Sequence, residues 1–154
     1  MARRLLSPPL AEQYLRIIWL DTVCYNMDRH NENLGFLRDI GTGEIVSMAP
    51  NYDNNIALIS RGYPNSTDRE RDGMMRFFRE FLKSNATAKE KFKGMALPEI
   101  TEEMIEECFA EIPIEVDRDF VKAFIMNGQA VAESIIAQEQ CEDEGESETF
   151  GMTL

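Results

Sequence analysis

The stretch "YNMDRHNENLGF", residues 25–36, decides how the rest of the chain is read. It sets Asp28, Arg29, His30, Asn31, Glu32 and Asn33 side by side between apolar flanks, and His30 is the only histidine of 154 residues. Asn and Asp side chains bond to nearby backbone, so each residue singly suits a polar turn. A turn does not explain why Asp28 and Asn33 stand five residues apart with a second Asp/Asn cluster, "APNYDNN" at 49–55, downstream.

Elements on either side place these two clusters. Ser7 before Pro8 and Pro9 is a helix-start signal. Leu10, Tyr14, Ile17, Ile18 and Trp19 then recur at helical spacing, which predicts a helix from about Pro9 to about Tyr25 with Arg16 and Asp21 facing away from most of that stripe. "LGFL", 34–37, and "EIVSM", 44–48, read as strands joined by the hairpin-turn chemistry of "RDIGTG". A hairpin returns the chain to its start, so the residues before its first strand and after its second should be neighbours.

Helices follow. Asp68 is expected to cap one running to Lys83, with Met74, Met75, Phe77, Phe78, Phe81 and Leu82 inward. "TAKEKFKGM" reads as a short helix ending at Gly94. Thr101 caps a helix to about Ala110, with Met104, Ile105, Cys108 and Phe109 inward, and Asp117 caps the last, to about Gln138. The expected fold is mostly α with a small β-hairpin, residues 1–139 forming one domain and 140–154 an acidic, disordered tail.

Composition narrows the function. The hydrophobic fraction of 44 % can build a core, and the net charge of −12 disfavours a general binder of nucleic-acid phosphates. Five of the excess negative charges lie in 140–154. Cys24, Cys108 and Cys141 are odd in number and far apart, which argues against a disulfide framework or a structural zinc site. Cys24 and Cys108 are expected as small buried residues. Nothing reads as a secretory signal or a membrane span, so a soluble cytoplasmic protein is expected and the "NST" and "NAT" matches are read as chance.

Asp, Asn and Asp converging beside a hairpin is the chemistry of phosphoryl transfer: one carboxylate accepts the nucleophile's proton, while an Asn oxygen and a second carboxylate hold Mg2+ on nucleotide phosphates. The kinase catalytic loop H-R-D-x-x-x-x-N has the same Asp-to-Asn spacing. "DRHNEN" followed by "APNYDN" resembles the HipA-like kinases, which carry D-x-H-x-x-N and then P-x-Y-D. The phosphoinositide kinases share D-R-H-x-x-N but usually have D-F-G afterwards. By motif the resemblance covers about residues 10–60. It implies that Asp28 is the catalytic base, that Asn33 and Asp53 ligate Mg2+ and so bind the ATP cofactor, and that His30 shapes the catalytic loop. Asn26, Arg29, Asn31 and Asn54 lie nearby without an assigned role.

The resemblance also implies a Ser/Thr protein substrate and an antitoxin-type partner, since that family belongs to toxin–antitoxin systems. Its glycine-rich loop and strand lysine have no counterpart: no G-x-G-x-x-G precedes Asp28. The chain is therefore expected to be a kinase-like C-lobe without its N-lobe, inactive alone and with a lobe interface open to self-association. The alternative is a non-catalytic nucleotide- or protein-binding module on the same fold. A metal-assisted hydrolase is a weaker one, because paired histidines and extra carboxylates are lacking.

Overall fold

The computed structural model describes residues 7–111 and 115–149, the segment 140–149 by its backbone alone. It divides into two compact units, residues 1–63 and 64–154. Among the described residues there are five α-helices and one two-stranded antiparallel sheet, so the expected mostly helical class with a small hairpin is what is found.

The first unit begins with α1, Pro8–Val23. Prolines open it, where their missing N–H would be unsatisfied in any case. Leu10, Leu15, Ile18, Trp19 and Val23 form its buried face, with Trp19 and Val23 at 0 % exposure. Large apolar side chains of this kind contribute about 1.5–3 kcal/mol each on burial. Contrary to expectation Asp21 is also buried, at 3 % exposure. It lies three residues beyond Ile18, one helical turn along the same stripe.

The helix ends in a tight reversal. Tyr25 takes a left-handed φ of 56°, and its N–H donates to the Thr22 carbonyl at 3.3 Å while Asn26 N–H donates to the Asp21 carbonyl at 2.8 Å. These are the two bonds of the Schellman end, made here without its usual glycine. The chain then forms a single 3-10 turn, η1 (Asn31–Asn33), and the hairpin strands β1 (Phe36–Arg38) and β2 (Ile45–Met48). Asp39 nucleates the turn between them by accepting the Thr42 N–H at 2.7 Å, and Gly43 supplies the positive φ of 72°. Helix α1 packs on β2, where Gln13 Oε1 accepts the Met48 N–H at 2.7 Å.

The second unit is a helical cluster: α2 (Gly73–Ser84), α3 (Ala86–Gly94), α4 (Glu102–Glu111) and α5 (Arg118–Thr149), with α5 packed against the other three. Its core includes Met75, Phe78, Leu82, Phe92, Ile105, Phe109, Phe124 and Ile135, and the rings of Phe78 and Phe92 meet edge to face at 5.6 Å. Met104 and Phe77 are exposed, at 49 % and 56 %, and Cys108 is exposed, against the inward positions expected of them; Cys24 is half-buried. On an amphipathic helix only about three or four residues in each two turns can face the core.

Asp72, not Asp68, caps α2. Its Oδ1 accepts the Met75 N–H at 2.8 Å and its Oδ2 pairs with Arg69, which is fully buried. The Arg69 guanidinium also lies 4.0 Å from the Phe124 ring centroid and donates to the Phe124 carbonyl. Asp68 instead accepts the Glu70 N–H in a local turn. Thr101 and Asp117 cap α4 and α5 as expected. An ion pair between Lys122 and Glu106 joins those helices, holding the Glu106 carboxyl below the usual range and the Lys122 amine above it.

Helix α5 runs to Thr149, past the end expected near Gln138. Extending an existing helix fixes one residue per added bond, far easier than starting one, and glutamate is a good helix former. Residues 150–154 of the expected tail lie outside the described residues, as does the side chain of Cys141.

The two roles of Asp72 separate by mutation. Asp72→Ala removes both the cap and the carboxylate paired with buried Arg69, and is expected to cost about 3–5 kcal/mol in urea unfolding. Thr101→Ala removes a cap alone and should cost about 1 kcal/mol. Similar losses would show that Arg69 needs no carboxylate.

Candidate active site

The end of α1, the "DRHNEN" turn and the "NYDN" loop meet at one side chain, Arg29. Its Nε donates to Asp21 Oδ2 at 2.8 Å and one terminal nitrogen donates to Asp21 Oδ1 at 2.7 Å, a two-pronged ion pair. That nitrogen also donates to Asn54 Oδ1 at 2.7 Å. The other donates to the carbonyls of Asn33, at 2.8 Å, and Tyr52, at 3.0 Å. One guanidinium thus ties the helix to both loops on either side of the hairpin.

The pair is well shielded, with side-chain exposures of 7 % for Arg29 and 4 % for Asp21. Asp21 raises the guanidinium above its ordinary pKa through these hydrogen bonds; burial opposes the shift, and the charges of Asp21 and Asp53 add to it. A cation whose pKa is raised on folding keeps its stabilising charge at every pH below its already very high unfolded value, so no ordinary pH discharges it.

A second seam reinforces the first. Asn26, at 2 % exposure, donates to Asp21 Oδ1 at 2.9 Å and to Asn54 Oδ1 at 3.2 Å. The Tyr52 hydroxyl donates to the Glu32 carbonyl at 2.9 Å. Gly35 makes room for that ring: a Cβ there would stand 3.6 Å from Tyr52 and 3.0 Å from the Ala49 Cβ. Leu58 N–H donates to the Cys24 carbonyl at 2.8 Å, returning the far end of the loop to the end of α1.

The residues singled out in the sequence sit within this frame. Asp28 is fixed at both backbone groups: its N–H donates to Asn26 Oδ1 at 3.2 Å, and its carbonyl accepts from Asn33 Nδ2 at 2.9 Å. Its carboxylate bonds no other described residue. Asn33 is 3 % exposed, and because its amide nitrogen is committed to Asp28, Oδ1 is the atom left for a cation. Asp53 is exposed and left-handed, with φ of 56°, a conformation aspartate tolerates better than most residues. His30 is exposed and caps η1: its Nδ1 accepts the Glu32 N–H at 3.2 Å. So placed, it shapes the turn that carries Asn33.

Asp28, Asn33 and Asp53 offer only hard oxygens, the donor type Mg2+ takes, in the small number it uses when phosphates and waters complete its shell. Asn51 Oδ1, in the second loop, is a buried acceptor with no hydrogen-bond partner among the described residues, suited to a donor such as a cation's water. Sequence reasoning missed Asp21, Tyr52 and Asn51. Helical spacing alone signals Asp21, four residues after Ile17 and seven after Tyr14.

Asp21→Asn keeps the shape of the hub and removes its charge. The buried guanidinium is then left unpaired, and a loss of about 3 kcal/mol in urea unfolding is expected. A loss under about 0.5 kcal/mol, the level of an ordinary surface change, would contradict the hub role.

No family model, no curated protein and no solved structure matches the chain, so the functional reading stands on its residues and their geometry.

Proposed function

We propose that the chain carries the base-bearing and metal-holding half of a phosphoryl-transfer site, as in the C-lobe of a HipA-like Ser/Thr protein kinase, with ATP and Mg2+ as cofactors and a protein hydroxyl as acceptor. The observation that carries this reading is the binding of Arg29 to both the Asn33 and the Tyr52 carbonyls, which brings the Asp28–Asn33 loop beside the Asp53 loop. The Asp28 carboxylate, on a backbone held by Asn26 and Asn33, accepts the proton of the attacking hydroxyl. Asn33 Oδ1 and the Asp53 carboxylate would hold Mg2+, which would supply charge neutralisation at the nucleotide phosphates. His30 keeps the intervening turn in shape.

Phosphoryl transfer is mostly positioning and electrostatics, so a chain whose first 27 residues hold no glycine-rich loop is expected to bind nucleotide weakly and to transfer phosphate slowly. A complementary N-lobe, a protein substrate, an antitoxin-type partner and a cytoplasmic location accompany this reading. Among the described residues no helix is long and apolar enough to cross a membrane. The second reading is a module that binds nucleotide or protein without catalysis.

Titration calorimetry with ATP separates the roles. Binding should require Mg2+, fall at least about tenfold in Asp53→Ala, and stay within about twofold of wild type in Asp28→Asn. The same heat in excess chelator, or equal losses in both variants, would overturn the assignment. Binding that follows this pattern with Asp28-independent or undetectable transfer in the presence of an N-lobe would favour the module.

A further inference from the structure

The proposed roles leave unexplained why a site built on Asp28, Asn33 and Asp53 has an arginine inside it. A positive charge close to Asp53 works against a cation there, so the charge that pairs with Asp21 does not itself help hold a cation. Geometry does. The "NYDN" loop has no ladder of its own. It follows β2 with irregular chain and then three turns, closed by Ala57 N–H on Asn54, Ser60 N–H on Ala57 and Gly62 N–H on Ile59. At its tip, residues 52–54 are joined to the rest of their unit through Arg29, Asn26 and the Tyr52 hydroxyl. Arg29 reaches both a backbone carbonyl and a side chain there while gripping buried Asp21.

We infer that Arg29 is the positioning residue of this site: its fork, anchored on Asp21, sets the distance of Asp53 from Asn33 and so makes the two ligands one cation site. The inference rests on the function proposed above. Lysine at this position keeps the charge but presents a single compact ammonium, unable to bond Asp21 in two places and reach Asn33, Tyr52 and Asn54 together. The site therefore depends on the planar fork, and charge conservation does not preserve it. Asn26 is the second brace, since it joins the same two anchors, Asp21 and Asn54.

The test is Arg29→Lys in the full chain, with Mn2+ as the probe, its affinity read by electron paramagnetic resonance and the mobility of residues 51–55 by NMR relaxation without metal. The expected result is an Mn2+ affinity about 10- to 100-fold weaker than wild type, the range found when a group orienting a ligand is lost. Residues 51–55 should loosen, with order parameters below about 0.6, while those of α1 stay near 0.85. In Arg29→Gly, added guanidinium ion should restore affinity, which a general loss of fold would not allow. An Arg29→Lys protein that binds Mn2+ as wild type does, or whose loop is as ordered, overturns the positioning role and leaves the proposed function standing. Wild-type protein that takes up no Mn2+ overturns the proposed function and this role with it.

Discussion

The first unit depends on burying one charge pair. Asp21 lies on the inner face of α1, buried like Trp19 and Val23, where an unpaired polar group is costly. Arg29 answers it with two hydrogen bonds and uses its remaining donors on the turn that holds Asn33 and the loop that holds Asp53. Removing either partner is costly because it strands the other, and this makes the constraint strict without making the pair a large net source of stability. The same bonds that satisfy a buried charge fix where the turn of Asn33 and the loop of Asp53 stand. Stability and site geometry are thus one constraint here.

The neighbouring features make sense around that hub. The left-handed Tyr25 ends α1 abruptly enough for Asn26 to return to Asp21 by both backbone and side chain. Gly35 lets the Tyr52 ring lie against the start of the hairpin, from which its hydroxyl reaches Glu32. Asp53 carries backbone strain at the tip of its loop, a cost of order 1–3 kcal/mol that surrounding contacts must sustain, and one that concentrates at functional sites. The second unit repeats the device in its own core, where buried Arg69 is neutralised by the cap of α2 and covered by the Phe124 ring.

Much of this was legible in the residues. The apolar period of 10–19 gave α1, the Asp39 to Gly43 turn gave the hairpin, and the hairpin predicted that the two polar loops meet, as the bonds from Arg29 and Asn26 to Asn54 bear out. What escaped was set by tertiary contact. Asp21 is expected to face outward, although its spacing puts it on the buried stripe; only Arg29, eight residues later, makes that position tolerable. Asp68 and Asp72 are both able to cap α2, and burial of Arg69 selects the second. Met104 and Cys108 were read as inward on hydrophobicity alone, which does not say how wide a stripe a short helix can bury.

The central claim is that two loops separated by a hairpin form a single cation site. Mn2+ broadens NMR signals steeply with proximity, so a substoichiometric titration of the labelled chain maps where it binds. The account predicts that amides of 28–34 and 52–54 broaden together, at the same Mn2+ concentration, before those of the acidic helix α4. Broadening confined to one of the two loops, or appearing first along α4, would contradict it.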